Sequence, residues 1–215
     1  MRRPPHDSPA DSSTDSFAEG GAAITLASGS AARAGMLSAA AIPFAVRAPR
    51  VDEDAVRAAL VQDGAAPRDV ADALAEMKAV KGSVPGLCLG GDQVLELDGA
   101  VVSKAADREA ARSLLQRMAG RTHHLHAAAV LAEDGRPVWR VVETVRMAMR
   151  PLSDGYVDGY LARNWDAVRG AVGCYHIEGE GARLFTRIEG SHFAVLGLPL
   201  LPLIDHLVQR GVVAA

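Results

Sequence analysis

Two Asp-Gly dipeptides constrain the fold of this 215-residue chain more than anything else in it. Asp98-Gly99 separates the apolar run from Leu87 to Leu97 from Ala100-Val101-Val102-Ser103-Lys104, and Asp134-Gly135 separates the stretch from Leu125 to Ala132 from that between Val138 and Met149. Asp-Gly suits the two-residue turn whose central positions both need positive φ, so each pair predicts an antiparallel hairpin. Before the first hairpin, short apolar runs alternate with amphipathic stretches, which reads as strand and helix in turn. Hairpins inserted into that alternation exclude a purely parallel sheet. The expected class is α/β, a mixed twisted sheet flanked by helices.

The elements follow from local signals. Ala23-Ile24-Thr25-Leu26-Ala27 reads as a strand, Ser28-Gly29-Ser30 as a tight turn, and the segment with Met36 and Leu37 as a helix. Phe44, Val46 and Ala48 alternate as a second strand. Asp52 caps a helix carrying Val56, Leu60 and Val61, and Pro67 opens a third with Val70, Leu74 and Met77 on one face and Lys78 at its edge. Asp107 caps a helix with the stripe Ala110, Ala111, Leu114, Leu115 and Met118, and Gly120 stops it. Ser153 caps another with Tyr156, Val157, Tyr160 and Leu161; a glycine-rich loop from Gly170 to Gly190 and a last helix through Leu200 to Leu207 complete the chain.

Bulk properties narrow the function. A chain of this length forms one large domain or two lobes sharing a cleft. We read one domain over 21–215, behind a flexible tail over 1–20 rich in Pro, Ser and Asp. The tail lacks the hydrophobic segment of a secretory signal and no apolar stretch approaches the ~18 residues of a membrane span, so a cytoplasmic protein is expected. The net charge of -3 is dispersed, which argues against nucleic acid or a membrane as partner. Cys88 and Cys174 are distant in sequence and read as buried free thiols.

Three segments carry candidate chemistry. At the first strand-turn-helix junction, helix N–H groups with Ser28, Ser30 and Arg33 either hold an anion or merely cap the helix. Asp92 follows an apolar run and two glycines near a strand's carboxyl end, where a buried carboxylate needs a cation or metal beside it. Counting back from the Asp98-Gly99 turn places Gln93 opposite Lys104, so Lys104 is within one residue of facing Asp92. Both charges serve one pocket only if the strand end turns them together; otherwise they are solvated at a hairpin rim. His123, His124 and His126 lack a neighbouring ligand at zinc-site spacing, and only the last two share a strand face. Gly179-Glu180-Gly181 lacks a third glycine at dinucleotide spacing, and no nucleophile elbow is present.

Taken in order, these segments resemble the Maf nucleotide pyrophosphatases. Leu26-Ala27-Ser28-Gly29-Ser30-Ala31-Ala32-Arg33 is similar to the opening L-A-S-x-S-P-R-R, and Val51-Asp52-Glu53 to V-D-E. Leu74 to Ala79 is similar to L-A-x-x-K-A, Gly91-Asp92-Gln93-Val94 to A-D-T/Q-V, and Lys104 to the lysine of G-K-P. Gly190 and Val195 to Leu200 resemble the closing E-G-x-x-x-x-V-x-G-L-P-L. Ala31, Ala32 and Ala105 depart from the pattern and remove one phosphate-binding cation common in the family.

The resemblance implies a bilobal, Maf/ITPase-like domain with a central cleft. It implies attack of water at the α-phosphorus of a nucleoside triphosphate with release of pyrophosphate, a housecleaning task against noncanonical nucleotides. In that reading Asp92 activates the water or holds a divalent metal, Mg or Mn, with help from Glu53. Ser28, Ser30, Arg33, Lys78 and Lys104 bind the phosphates, and Gln93 with Glu178 read the base edge. Gln93 and Glu178 are similar to the branch that prefers 7-methylguanosine triphosphate, although Ala32 lacks that branch's aromatic residue. A homodimer is also implied. The competing expectation is a nucleotide-binding regulator linked to cell division that has lost turnover, motivated by the alanines of the first motif.

Overall fold

The computed structural model describes residues 22–214, so the tail expected over 1–20 lies outside the described residues. Seven strands form one sheet: β1 Ile24–Leu26, β2 Phe44–Val46, β3 Leu87–Leu97, β4 Ala100–Val102, β5 Thr122–Glu133, β6 Arg136–Met149 and β7 Phe185–Glu189. Their order is β2-β1-β3-β5-β6-β7, with β4 also paired to β3. β1 runs parallel to β2 and β3, while every other pairing is antiparallel, which is the mixed sheet expected. Both hairpin turns have positive φ at both central residues, 55° and 79° at Asp98 and Gly99 and 49° and 80° at Asp134 and Gly135.

The helices are α1 Ala31–Ala39, α2 Glu53–Gln62, α3 Pro67–Lys81, α4 Arg108–Met118, α5 Asp154–Val168, α6 His192–Val195 and α7 Leu200–Gln209. Ser30, Asp52, Asp107 and Ser153 cap α1, α2, α4 and α5 by accepting from a backbone N–H three residues on, and Pro67 opens α3.

Alternation along β3 and β5 distributes the core. Their even-numbered residues, such as Val94, Ala128 and Val130, pack under Val70, Leu74 and Ala75 of α3. Odd-numbered residues on the other face split into two clusters. Leu89 and Leu131 join Leu37 of α1 and Leu203 of α7, whereas Leu95 and Leu125 join Leu115 of α4 and Tyr160 of α5. The two clusters are the lobes, and the cleft falls between them at Gly91 and Gln93.

Three expectations need correction. β4 ends at Val102 and does not reach Lys104, and β2 ends before Ala48. The stretch from Gly170 to Gly190 is not all loop: Glu180–Leu184 forms a 3-10 turn and β7 pairs with β6 at the sheet edge. Buried Leu184 and Phe185 anchor this segment on the α4/α5 cluster, a signal diluted by the surrounding glycines.

Asp92 also sits in the middle of β3 and not near its carboxyl end. What opens the site there is the short reach of the neighbouring strands. β5 covers one edge of β3 from Leu87 to Glu96. On the other edge, β1 pairs only with Cys88 and Leu89, and β4 only with Leu95 to Leu97. Gly90 to Val94 therefore have a free edge, and the chain leaving β1 at Ser28 and the chain leaving β4 towards Lys104 both enter the gap.

Candidate active site

A cleft of about 490 Å³ occupies that gap, and Ser28, Ser30, Arg33, Glu53, Lys78, Asp92, Gln93, Lys104 and Glu178 all line it. A free strand edge exposes side chains from both faces of the sheet, so Asp92 and Gln93 reach one pocket, and Lys104 joins Asp92 there from the chain after β4 without a bulge in the β3–β4 pairing.

Asp92 is only 4% exposed and Lys78 5%. Lys78 Nζ donates to Asp92 Oδ1 at 2.6 Å and reaches Glu53 Oε2 at 2.7 Å, so one ammonium bridges two carboxylates. Asp92 Oδ2 is buried and has no hydrogen-bond partner. The glycine two residues earlier explains how α3 comes so close: a Cβ on Gly90 would stand 2.1 Å from Ala75 O and 2.5 Å from Ala79 N. Glu53, the first residue of α2, is held at the pocket by Asp52, whose side chain caps the helix at Ala55 N.

Gly91 serves the other face. A Cβ there would lie 3.1 Å from Arg33 Nε, so the arginine passes directly across the strand. Arg33 is 8% exposed; its Nε donates to Gly197 O at 2.7 Å and its Nη1 to Ser28 Oγ at 3.1 Å. Burial lowers its pKa, and Asp92 and Glu53 oppose that shift. Ser28 Oγ also accepts from Ser30 N, while Ser30 Oγ accepts from Arg33 N as the cap of α1.

Lys104 is exposed and makes no ion pair among the described residues. Gln93 donates both N–H groups of its amide to Ala194 O and Val195 O at 2.8 and 2.9 Å, fixing α6 and leaving Oε1 as its remaining acceptor. Glu178 is exposed and lines the cleft together with Ile177 and Val172. The segment that presents it is tied from behind: Tyr160 Oη donates to Cys174 O, and Tyr175 Oη bonds His123 Nε2 at 2.7 Å. Burial holds His123 down to about 4, with His124 adding to the effect, so the imidazole is neutral. Burial likewise pushes both thiols, Cys88 and Cys174, up to about 11. His126 bonds Glu96 and Thr144 on the opposite face.

Several contributors escape the sequence reading. Arg57 lines the cleft from α2, one turn beyond Glu53, and that spacing on a capped helix was the available signal. Tyr175 lines it too. Gly197 lies in the closing family-like motif, but its contact with Arg33 has no local signal, because only the closing of the chain, 164 residues beyond Arg33, brings its carbonyl there.

Among the described residues, no three His, Cys, Asp or Glu side chains are grouped to hold a metal ion. The donor set of Asp92 and Glu53 is instead a pair of hard oxygen ligands. Such a pair fits magnesium or manganese, which take one or two carboxylates and complete their shell with water and phosphate oxygens. The partnerless Asp92 Oδ2 is the atom available for it.

Comparison with known proteins gives the same direction. A family model described as Maf-like protein matches residues 23–210. The chain is 55% identical over 193 residues to a nucleoside triphosphate pyrophosphatase of Ruegeria pomeroyi, covering 88% of this chain and 97% of that protein. It is 49% identical over 190 residues to one of Caulobacter vibrioides, covering 87% and 96%, and 50% identical over 194 residues to nucleoside triphosphate pyrophosphatase 1 of a Jannaschia species, covering 89% and 98%.

Proposed function

This chain belongs to the Maf-like protein family, and on that premise we propose that it hydrolyses a nucleoside triphosphate to the monophosphate and pyrophosphate. The observation that carries the reading is Asp92: a buried carboxylate with one oxygen fixed by Lys78 and the other without a partner, facing a cationic cleft. Water attacks the α-phosphorus, the bond to the α,β-bridging oxygen breaks, and pyrophosphate leaves with that oxygen. Asp92 Oδ2 either accepts the proton of the attacking water or ligates the divalent cation that activates it, and Lys78 holds the carboxylate in orientation. Phosphoryl transfer asks little covalent chemistry of a protein; placement and charge compensation supply most of the rate.

The phosphates are held by Arg33, Lys78 and Lys104, with Ser28, Ser30 and the N-terminus of α1 giving neutral donors. A divalent cation, Mg or Mn, held by Asp92 and Glu53, would neutralise phosphate charge and orient the chain when bound. Gln93 Oε1 and the Glu178 carboxylate are read as acceptors for the donor edge of a base; the pair resembles the branch that prefers 7-methylguanosine triphosphate, and base preference is what the panel below decides. The substrate pool of free triphosphates supports a cytoplasmic location. Among the described residues no helix is long and apolar enough to cross a membrane. A homodimer, from the family resemblance, completes the proposal.

The test is a panel of canonical and modified triphosphates assayed for pyrophosphate release with magnesium or manganese. Asp92→Asn should lower kcat by at least ~100-fold, the lower range for loss of a general base. A wild-type protein that binds triphosphates without releasing pyrophosphate would instead favour the regulatory reading.

A further inference from the structure

The cationic side chains of the cleft are not equally available to a substrate. Four line it: Arg33, Arg57, Lys78 and Lys104. Two are committed. Arg33 spends Nε and Nη1 on Gly197 O and Ser28 Oγ, and Lys78 is shared between Glu53 and Asp92. Lys104 is exposed and unattached among the described residues. Arg57 is the remaining one, and its position is unusual. Its side chain is only 15% exposed, yet its one partner among the described residues, Asp54, is 92% exposed and lies on the same helix three residues back.

An exposed pair of that kind contributes on the order of 0–1 kcal/mol, because water and salt compete with it. A triphosphate carries several negative charges and offers a guanidinium the paired oxygens its planar fork is shaped for. Phosphate therefore outcompetes Asp54. Helical spacing puts Arg57 on the same side of α2 as Glu53, which reaches the Lys78–Asp92 pair. Across the cleft, Ala32 in the first turn of α1 also lines the pocket and carries no charge, so the polyphosphate meets no side-chain cation there.

Resting on the pyrophosphatase reading above, we infer that Arg57 is a substrate-binding residue that leaves Asp54 and clamps the pyrophosphate portion of the triphosphate. It contacts the leaving group and not the nucleoside.

The experiment compares wild type with Arg57→Ala and Arg57→Gln. α2 buries none of its residues fully, so neither change opens the core, and glutamine keeps part of the stem and good helix propensity should the alanine variant fold poorly. KM for the triphosphate should rise about 10- to 100-fold, the range for losing charge-assisted hydrogen bonds. Inhibition by inorganic pyrophosphate should weaken by the same factor, while inhibition by the nucleoside monophosphate product should stay within about 2-fold. Unchanged KM and unchanged pyrophosphate inhibition overturn the inference. So does equal weakening by both products, which is what a general disturbance of α2 and Glu53 would produce. Absence of pyrophosphate release by wild type with every triphosphate would instead overturn the pyrophosphatase reading itself.

Discussion

Lys78 decides how the centre of this protein is charged. A carboxylate 4% exposed is costly unless a cation accompanies it, and here one ammonium serves both Asp92 and Glu53. Replacing Lys78 by Met should destabilise by about 3–5 kcal/mol, the range for stranding one partner of a buried pair. The double variant Lys78→Met, Asp92→Leu should recover most of that loss in denaturant titration, though it will be inactive. If the single variant is as stable as wild type, the pair is more hydrated than its burial implies. His123 gives the pH counterpart. Its folded pKa of about 4 lies below the ordinary 6.5, so the unfolded chain takes up a proton that the folded chain refuses between those values. Stability should fall as pH drops from about 6.5 to about 4, by roughly 3 kcal/mol from this residue alone. The difference between wild type and His123→Leu, followed by thermal melts across that window, isolates the contribution; a flat difference would refute it.

At the scale of elements, the site depends on how closely α3 settles on β3. Gly90 makes that approach possible, and a methyl group 2.1 Å from Ala75 O cannot be accommodated without moving the helix backbone. Gly90→Ala should cost about 1–3 kcal/mol of stability by overpacking and lower kcat by displacing Lys78 from Asp92. Retention of wild-type melting and turnover would show that the helix yields without consequence. The same elements show what was legible in the sequence and what was not. Turn chemistry and capping residues are local, so both Asp-Gly hairpins and the starts of α1, α2, α4 and α5 could be read directly. The candidate residues could be named because each lies beside such a signal or in a family-like motif. Their convergence could not be read, because it follows from where neighbouring strands stop. Counting register from Leu97 and Ala100 was sound as far as Val102, but β4 ends there, and Lys104 enters the cleft from a departing loop. β7 was hidden because an edge strand of five residues with three polar side chains resembles a loop.

On the scale of the whole molecule, the two lobes share one sheet, with β3 and β5 running through both, and a few side chains at the cleft stitch distant parts of the chain to one another, Arg33 the main one. Through Nε and Nη1 it joins Gly197, near the end of the chain, to Ser28, near its beginning. Gln93 adds a second stitch by holding α6. A ligand in the cleft adds contacts of its own to these, and its effect on stability reports binding apart from chemistry. A non-hydrolysable triphosphate at a hundred times its Kd should raise stability by about 2.7 kcal/mol in wild type. Asp92→Asn should keep most of that gain while losing turnover, since the cations proposed to hold the phosphates remain. Arg33→Gln should lose about 2–3 kcal/mol without ligand, as charge-assisted bonds to Gly197 and Ser28 are removed, and should show little gain with it. Arg33→Gln stabilised by the analogue as strongly as wild type would mean that the arginine ties the two ends of the chain together without taking part in phosphate binding.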